Sequence, residues 1–161
     1  MVTDAVEAPA ALTSDLCWLL SRASHALTTE LTAALEDLGI SPRAHAVLTT
    51  AMTAEHTQSE IARVVGLDKT TMVVTVDELE ADGLAERRPS RSDRRARVIA
   101  VTEAGKRKAR DAEAVLDRVR DDVLSVLAPD ERDTFLRALS TLACGRLAEP
   151  VPCAHPVRRR G

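Results

Sequence analysis

The chain has 161 residues, a formal net charge of -3, and 45% hydrophobic residues that include one Trp, one Phe and no Tyr. That length suits a single self-sufficient core, and a core that must be filled by Leu, Val and Ala favours helices. No apolar run approaches the roughly 18 residues of a membrane span, and "MVTDAVEAPA" is neither basic nor followed by an apolar signal block, so the reading is a cytoplasmic protein without membrane contact.

The predicted elements follow in chain order. Residues 1–11 read as a disordered N-terminus. Leu12, Leu16, Leu19, Leu20, Leu27, Leu31, Leu35 and Leu38 recur at helical spacing and predict one long first helix over 12–38, stopped by Gly39. Trp18, Arg22 and His25 fall opposite that stripe, and an aromatic there implies burial on two sides of the helix. Ser41 followed by Pro42 is an N-cap with the favoured first helical residue, opening a second helix through Thr53. "TQSE", Thr57 to Glu60, is a capping box for a short third helix ending near Gly66.

Asp68 caps a fourth helix that closes at Gly83. Met72, Val76 and Leu79 form its inward stripe, leaving Lys69, Thr70, Val73, Val74 and Asp77 on other faces. The tight "VGLD" connection makes the third and fourth helices a helix-turn-helix. The period then changes. Residues 84–88 and 95–101 are extended and partly alternating, with the turn formers of "PSRSDR" between them, which predicts a hairpin. A fifth helix runs from Thr102 to Leu127, a sixth starts at Pro129, and 148–161 reads as a disordered tail. The predicted fold is mainly α with a small β-hairpin wing. A winged helix-turn-helix lobe (42–101) is flanked by N- and C-terminal helices (12–38 and 102–147).

The hairpin carries an unusual charge. "RRPSRSDRRAR", residues 87–97, holds six arginines and one aspartate inside a chain of net charge -3, so positive charge is segregated onto one surface. Arginines pooled on a hairpin give affinity for a polyanion that an average charge cannot, since every phosphate neutralised releases counterions. The other reading, a solvated charged loop, leaves the mutual repulsion of these arginines uncompensated.

A helix-turn-helix followed by a basic hairpin is a winged helix, and this one resembles the MarR family of bacterial transcription regulators over residues 12–147. The resemblance is sharpest in "LDKTTMVVTVDELEADGLAERRPSRSDRRARVIAVTEAG", with an Asp-x-Arg element at Asp93 and Arg95 and a closing Thr-x-x-Gly at Thr102 to Gly105. It implies a homodimeric repressor built on the first, fifth and sixth helices as dimerisation helices. Its partner would be double-stranded DNA carrying a pseudo-palindromic operator, with recognition helices in the major groove and wings in the flanking minor grooves. It further implies that Arg95 enters the minor groove, held by a charge-assisted hydrogen bond to Asp93.

The DNA-contact candidates on the wing are Arg87, Arg88, Ser90, Arg91, Asp93, Arg94, Arg95 and Arg97. On the fourth helix, Lys69, Thr70 and Thr71 are placed to donate to phosphates or base edges. Val73 and Val74 stand where relatives carry polar or basic residues; they read either as contacts to thymine methyl groups or, for one of them, as core. Thr57, Gln58 and Ser59 read as phosphate contacts or as a helix cap alone.

The resemblance also implies a small aromatic or phenolic effector bound between the dimer base and the DNA-binding lobe, or, in one branch, thiol oxidation at a first-helix cysteine. "DLCWLLSRASHAL" resembles that cysteine-bearing helix, with Ser21 where the branch has a tyrosine. Cys17 is then either a redox thiol activated by His25, Arg22 or His45, or a packing residue. Trp18, His25 and His45 are the candidate effector contacts, and Cys144 the candidate partner of Cys17. The three cysteines are widely spaced, and Cys153 with His155 supplies too few ligands for a metal, so no metal or cofactor is expected. No nucleophile–base pair, paired carboxylates or Gly-rich phosphate loop points to an enzyme. The alternative from another class is a winged helix that binds protein or RNA without operator specificity.

Overall fold

Ser41, Thr57 and Asp68 each open a helix of a three-helix lobe, by the side-chain chemistry their sequence context implies. The structure is a computed structural model that describes residues 9–91, 93, 95–149 and 151. Ser41 Oγ accepts the Ala44 N–H at 3.2 Å ahead of α3 (Pro42–Thr53). At α4 (Gln58–Val65) the Thr57 hydroxyl accepts the Glu60 N–H while Glu60 accepts the Thr57 N–H at 2.7 Å, a reciprocal capping box. Asp68 Oδ1 accepts the N–H groups of Thr70 and Thr71 at 2.9 and 3.0 Å, opening α5 (Lys69–Ala81). Gly66, with φ 74°, sits in the left-handed conformation that ends α4 and lets the chain turn into α5.

The hairpin pairs β1 (Ala85–Pro89) with β2 (Arg97–Val101) antiparallel, Arg87 opposite Ile99. The Thr-x-x-Gly element has a local physical role after it. Thr102 donates its hydroxyl to the Gly83 carbonyl at 2.8 Å and accepts the Gly105 N–H at 3.0 Å, tying the start of α6 (Glu103–Leu124) to the turn between α5 and β1. Position 105 has to be Gly, because a Cβ there would lie 2.0 Å from the Leu84 carbonyl oxygen.

The chain divides into two units, residues 1–119 and 120–161. In the first, Leu35, Leu48, Ile61, Met72, Val76 and Leu79 are fully buried, and α6 adds Ala109 and Ala112 to the same core. The predicted inward stripe of α5 is thus the one that packs, while Val73 and Val74 are both exposed; neither is core. In the second unit, α7 (Pro129–Thr141) winds on into a short π-helical segment, Leu142–Arg146.

Three elements depart from the sequence reading. The long first helix is two: α1 (Ala10–Thr13) and α2 (Leu16–Ala34), then a 3-10 turn over Glu36–Leu38. The break lies at Ser14–Asp15, where Asp15 accepts the Trp18 N–H at 2.6 Å and so caps a fresh helix instead of continuing the old one. Ala10 and Ala11 are helical, not part of a disordered N-terminus, whereas the rest of the N-terminal reading, residues 1–8, lies outside the described residues. The tail reading over 148–161 likewise lies outside them, except at 148, 149 and 151. Finally α6 stops at Leu124, ahead of the Pro129 that begins α7.

Candidate nucleic-acid interface

The N-terminal half of α5 presents Lys69, Thr70, Val73 and Val74 to solvent. The adjacent helix ends are already committed to internal anions. Hydrogen bonds from the Thr71 hydroxyl (2.6 Å) and main chain hold the Asp68 carboxyl below its ordinary pKa. Those from the Thr57 main chain, then its hydroxyl, do the same for Glu60. Both acids therefore remain ionised at helix N-termini, where they occupy donors that a phosphate would otherwise use. Thr71 and Thr57 accordingly spend their hydroxyl protons on Asp68 and Glu60, which corrects the reading of Thr71 as a free donor to DNA and gives Thr57 the cap of its second reading. Ser59 is exposed. Gln58 turns its side-chain oxygen to Arg87 at 3.3 Å.

The wing arginines are not equivalent. Arg88, Arg91, Arg95 and Arg97 are exposed, Arg88 beside Glu86 and Arg91 with Nε 3.4 Å from Glu55. Arg87 is different: its side chain is 28% exposed and its guanidinium is shared among Asp77, Glu80 and Gln58. Ser90 is buried and donates its hydroxyl to Glu55 at 3.0 Å, so it supports the wing from inside and is no surface contact. Asp93 Oδ1 accepts the main-chain N–H of Arg95 at 2.9 Å, fixing the turn, where the sequence reading had it hold the guanidinium. The Arg94 reading lies outside the described residues.

The candidate effector residues of the first unit are not all brought to one cleft. His45 is buried, with Nε2 3.0 Å from Glu113 and 3.4 Å from the Thr49 hydroxyl. The Arg22 guanidinium lies 5.6 Å over the Trp18 ring, while Cys17, Ser21 and His25 are exposed on α2 and Cys144 is exposed in the second unit. His25 alone of the set lines a cleft of about 760 Å³, together with Thr28, Thr29, Thr32, Leu35, Ile40 and Ser41. The sequence reading missed the threonines, which fall between the leucines of α2 without breaking their helical spacing. It also missed Glu55, Asp77 and Glu80, whose partners are distant in the chain.

A capped helix-turn-helix with exposed arginines on the adjoining hairpin defines a winged-helix protein of the DNA-binding class. Residues 38–96 match the model of the MarR family. The chain is 32% identical to CouR from Rhodococcus jostii RHA1, solved bound to p-coumaroyl-CoA, with a TM-score of 0.75 over 85% of this chain and 97% of that one. It is 30% identical to a MarR-family transcriptional regulator from Rhodococcus sp. RHA1, with a TM-score of 0.77 over 85% and 99%. It is also similar to the transcriptional repressor CouR bound to a 23-mer DNA duplex, at 27% identity, a TM-score of 0.77, and 86% and 99% coverage. The chain belongs to the MarR family: it is a winged-helix transcription regulator, not an enzyme.

Proposed function

We propose that the protein is a homodimeric repressor that binds a pseudo-palindromic operator and is released by a small aromatic effector. The observation that carries this reading is the exposure of Arg88, Arg91, Arg95 and Arg97 on one hairpin beside the exposed Lys69, Thr70, Val73 and Val74 face of α5. In it, the α5 face enters the major groove, where the valines meet thymine methyl groups and Lys69 and Thr70 donate to phosphates or base edges. The wing places Arg95 in the minor groove, with Arg88, Arg91 and Arg97 on flanking phosphates. Two copies reading two half-sites account for the palindrome, and the exposed apolar residues Phe135 and Leu136 of α7 supply a surface for pairing.

CouR, bound in its solved structures to a DNA duplex or to p-coumaroyl-CoA, supports both halves of the reading. The effector is assigned to the cleft beside His25, whose apolar floor of Leu35 and Ile40 suits an aromatic ring. The test is competition. Duplex carrying the inverted repeat adjoining the protein's own gene should displace a labelled copy far better than scrambled duplex or RNA. Equal competition by all three would replace the operator reading with a winged helix lacking sequence specificity, and preference for RNA would replace it with an RNA-binding one.

A further inference from the structure

The guanidinium of Arg87 lies where three parts of the DNA-binding lobe meet. Arg87 is on the first wing strand; Asp77 and Glu80 are on the recognition helix α5; Gln58 is in the first turn of α4. Arg87 reaches Asp77 Oδ1 at 2.7 Å, pairs with Glu80 Oε2, and donates to Gln58 Oε1 through two nitrogens at 3.3 Å each. Its main-chain N–H also donates to Glu80 Oε1 at 2.7 Å, so Glu80 grips this strand residue by backbone and side chain together.

We infer that Arg87 is a positioning residue, which fixes the wing strand and α4 to the recognition helix and so sets specificity, and makes no phosphate contact of its own. Its charge is already matched by carboxylates, and a phosphate would have to displace them. A planar fork with donors along two edges is the group that can bridge three elements in fixed geometry, which a lysine ammonium cannot do. The aligned elements are the ones that must enter adjacent grooves together. A small rotation between them therefore costs base readout before it costs phosphate attraction.

This inference rests on the operator reading proposed above, and the experiment separates the two. The probes are an inverted-repeat duplex selected by the wild type from a random-sequence library, and a scrambled duplex of the same composition. If the wild type does not distinguish them, the operator reading fails before Arg87 is tested. If it does, Glu80→Gln gives a test by sign. Removing a negative charge beside DNA should by electrostatics alone tighten binding to both duplexes. A loosened clamp should instead lower operator affinity while scrambled-duplex affinity holds or rises, narrowing the specificity ratio about tenfold.

Arg87→Lys should behave like Glu80→Gln, with the slope of log affinity against log salt unchanged. Were Arg87 a phosphate contact, Lys would retain affinity, and Arg87→Met would flatten the slope by about 0.9 per phosphate lost. Retained specificity in both Glu80→Gln and Arg87→Lys, or that flattened slope, overturns the inference. Thermal melting of each variant checks that the lobe is folded, and Arg87→Lys, which keeps the charge and most of the stem, serves if Arg87→Met is not.

Discussion

Ser90 donates its hydroxyl to Glu55 across 3.0 Å, and the same carboxylate accepts the Arg91 N–H at 3.1 Å. The residues that follow α3 therefore anchor the tip of the wing. Ser90 also receives the Asp93 N–H at 3.4 Å, so one buried hydroxyl links the anchor to the turn that carries Arg95. Ser90→Ala should cost roughly 1 kcal/mol of stability, a typical net value for one such bond. Operator affinity should fall alongside, although no DNA contact has been removed. Urea denaturation measures the first and titration of labelled operator the second. An unchanged denaturation midpoint together with unchanged affinity would rule out the anchor.

Arg95 and Asp93 separate by substitution. Arg95→Ala should weaken operator binding by about 1 to 3 kcal/mol if its exposed side chain reads the minor groove. Asp93 holds the main chain of Arg95, and an asparagine oxygen can accept the same N–H. Asp93→Asn should consequently stay near wild type, whereas Asp93→Ala releases the turn and should weaken binding. Equal losses in both Asp93 variants would show that the carboxylate charge matters more than the hydrogen bond.

What the sequence discloses is governed by distance along the chain. Caps at Ser41, Thr57 and Asp68 and the turn at Gly66 were legible because each is decided within a few residues by hydrogen bonding and backbone freedom. The partners of Arg87, Ser90 and His45 were not. Gln58, Glu55 and Glu113 reach them only through packing, so counting charge assigned every wing arginine outward and left His45 free to meet a ligand. The break at Asp15 was hidden for a different reason. The leucine spacing runs straight through it, and a carboxylate's choice between exposed helix interior and cap leaves no trace in periodicity.

Pairing of two copies is testable on α7. Phe135 and Leu136 are exposed in the second unit, and a single chain leaves these apolar side chains in water. Phe135→Glu should shift sedimentation from dimer toward monomer and reduce operator affinity, because two half-sites are then no longer read together. Truncation after Val101 is a poorer test. It also deletes Gly105, Ala109 and Ala112, which are buried, and would unfold the lobe whether or not it dimerises. A Phe135→Glu protein that sediments as wild type does would exclude α7 from the interface.

In the cleft beside α2, Thr29 and Thr32 donate their hydroxyl protons to the carbonyls of His25 and Thr28, at 3.0 and 2.7 Å. Their oxygens keep only acceptor capacity for a ligand, whereas the imidazole of His25, with the hydroxyls of Thr28 and Ser41, can donate to one. A phenolic acid or its thioester should therefore release operator from wild type. His25→Ala should require more ligand for the same release while binding operator as before. Cys17→Ser should respond to ligand as wild type does. Hydroperoxide should leave the complex intact, because two of the candidate activating groups are engaged elsewhere, Arg22 over the Trp18 ring and His45 with Glu113. Release by hydroperoxide in wild type but not in Cys17→Ser would reverse the assignment, making Cys17 the sensor. Cys144→Ser would then show, by loss or persistence of a reducible dimer band, whether oxidation joins the two thiols or leaves each chain separate.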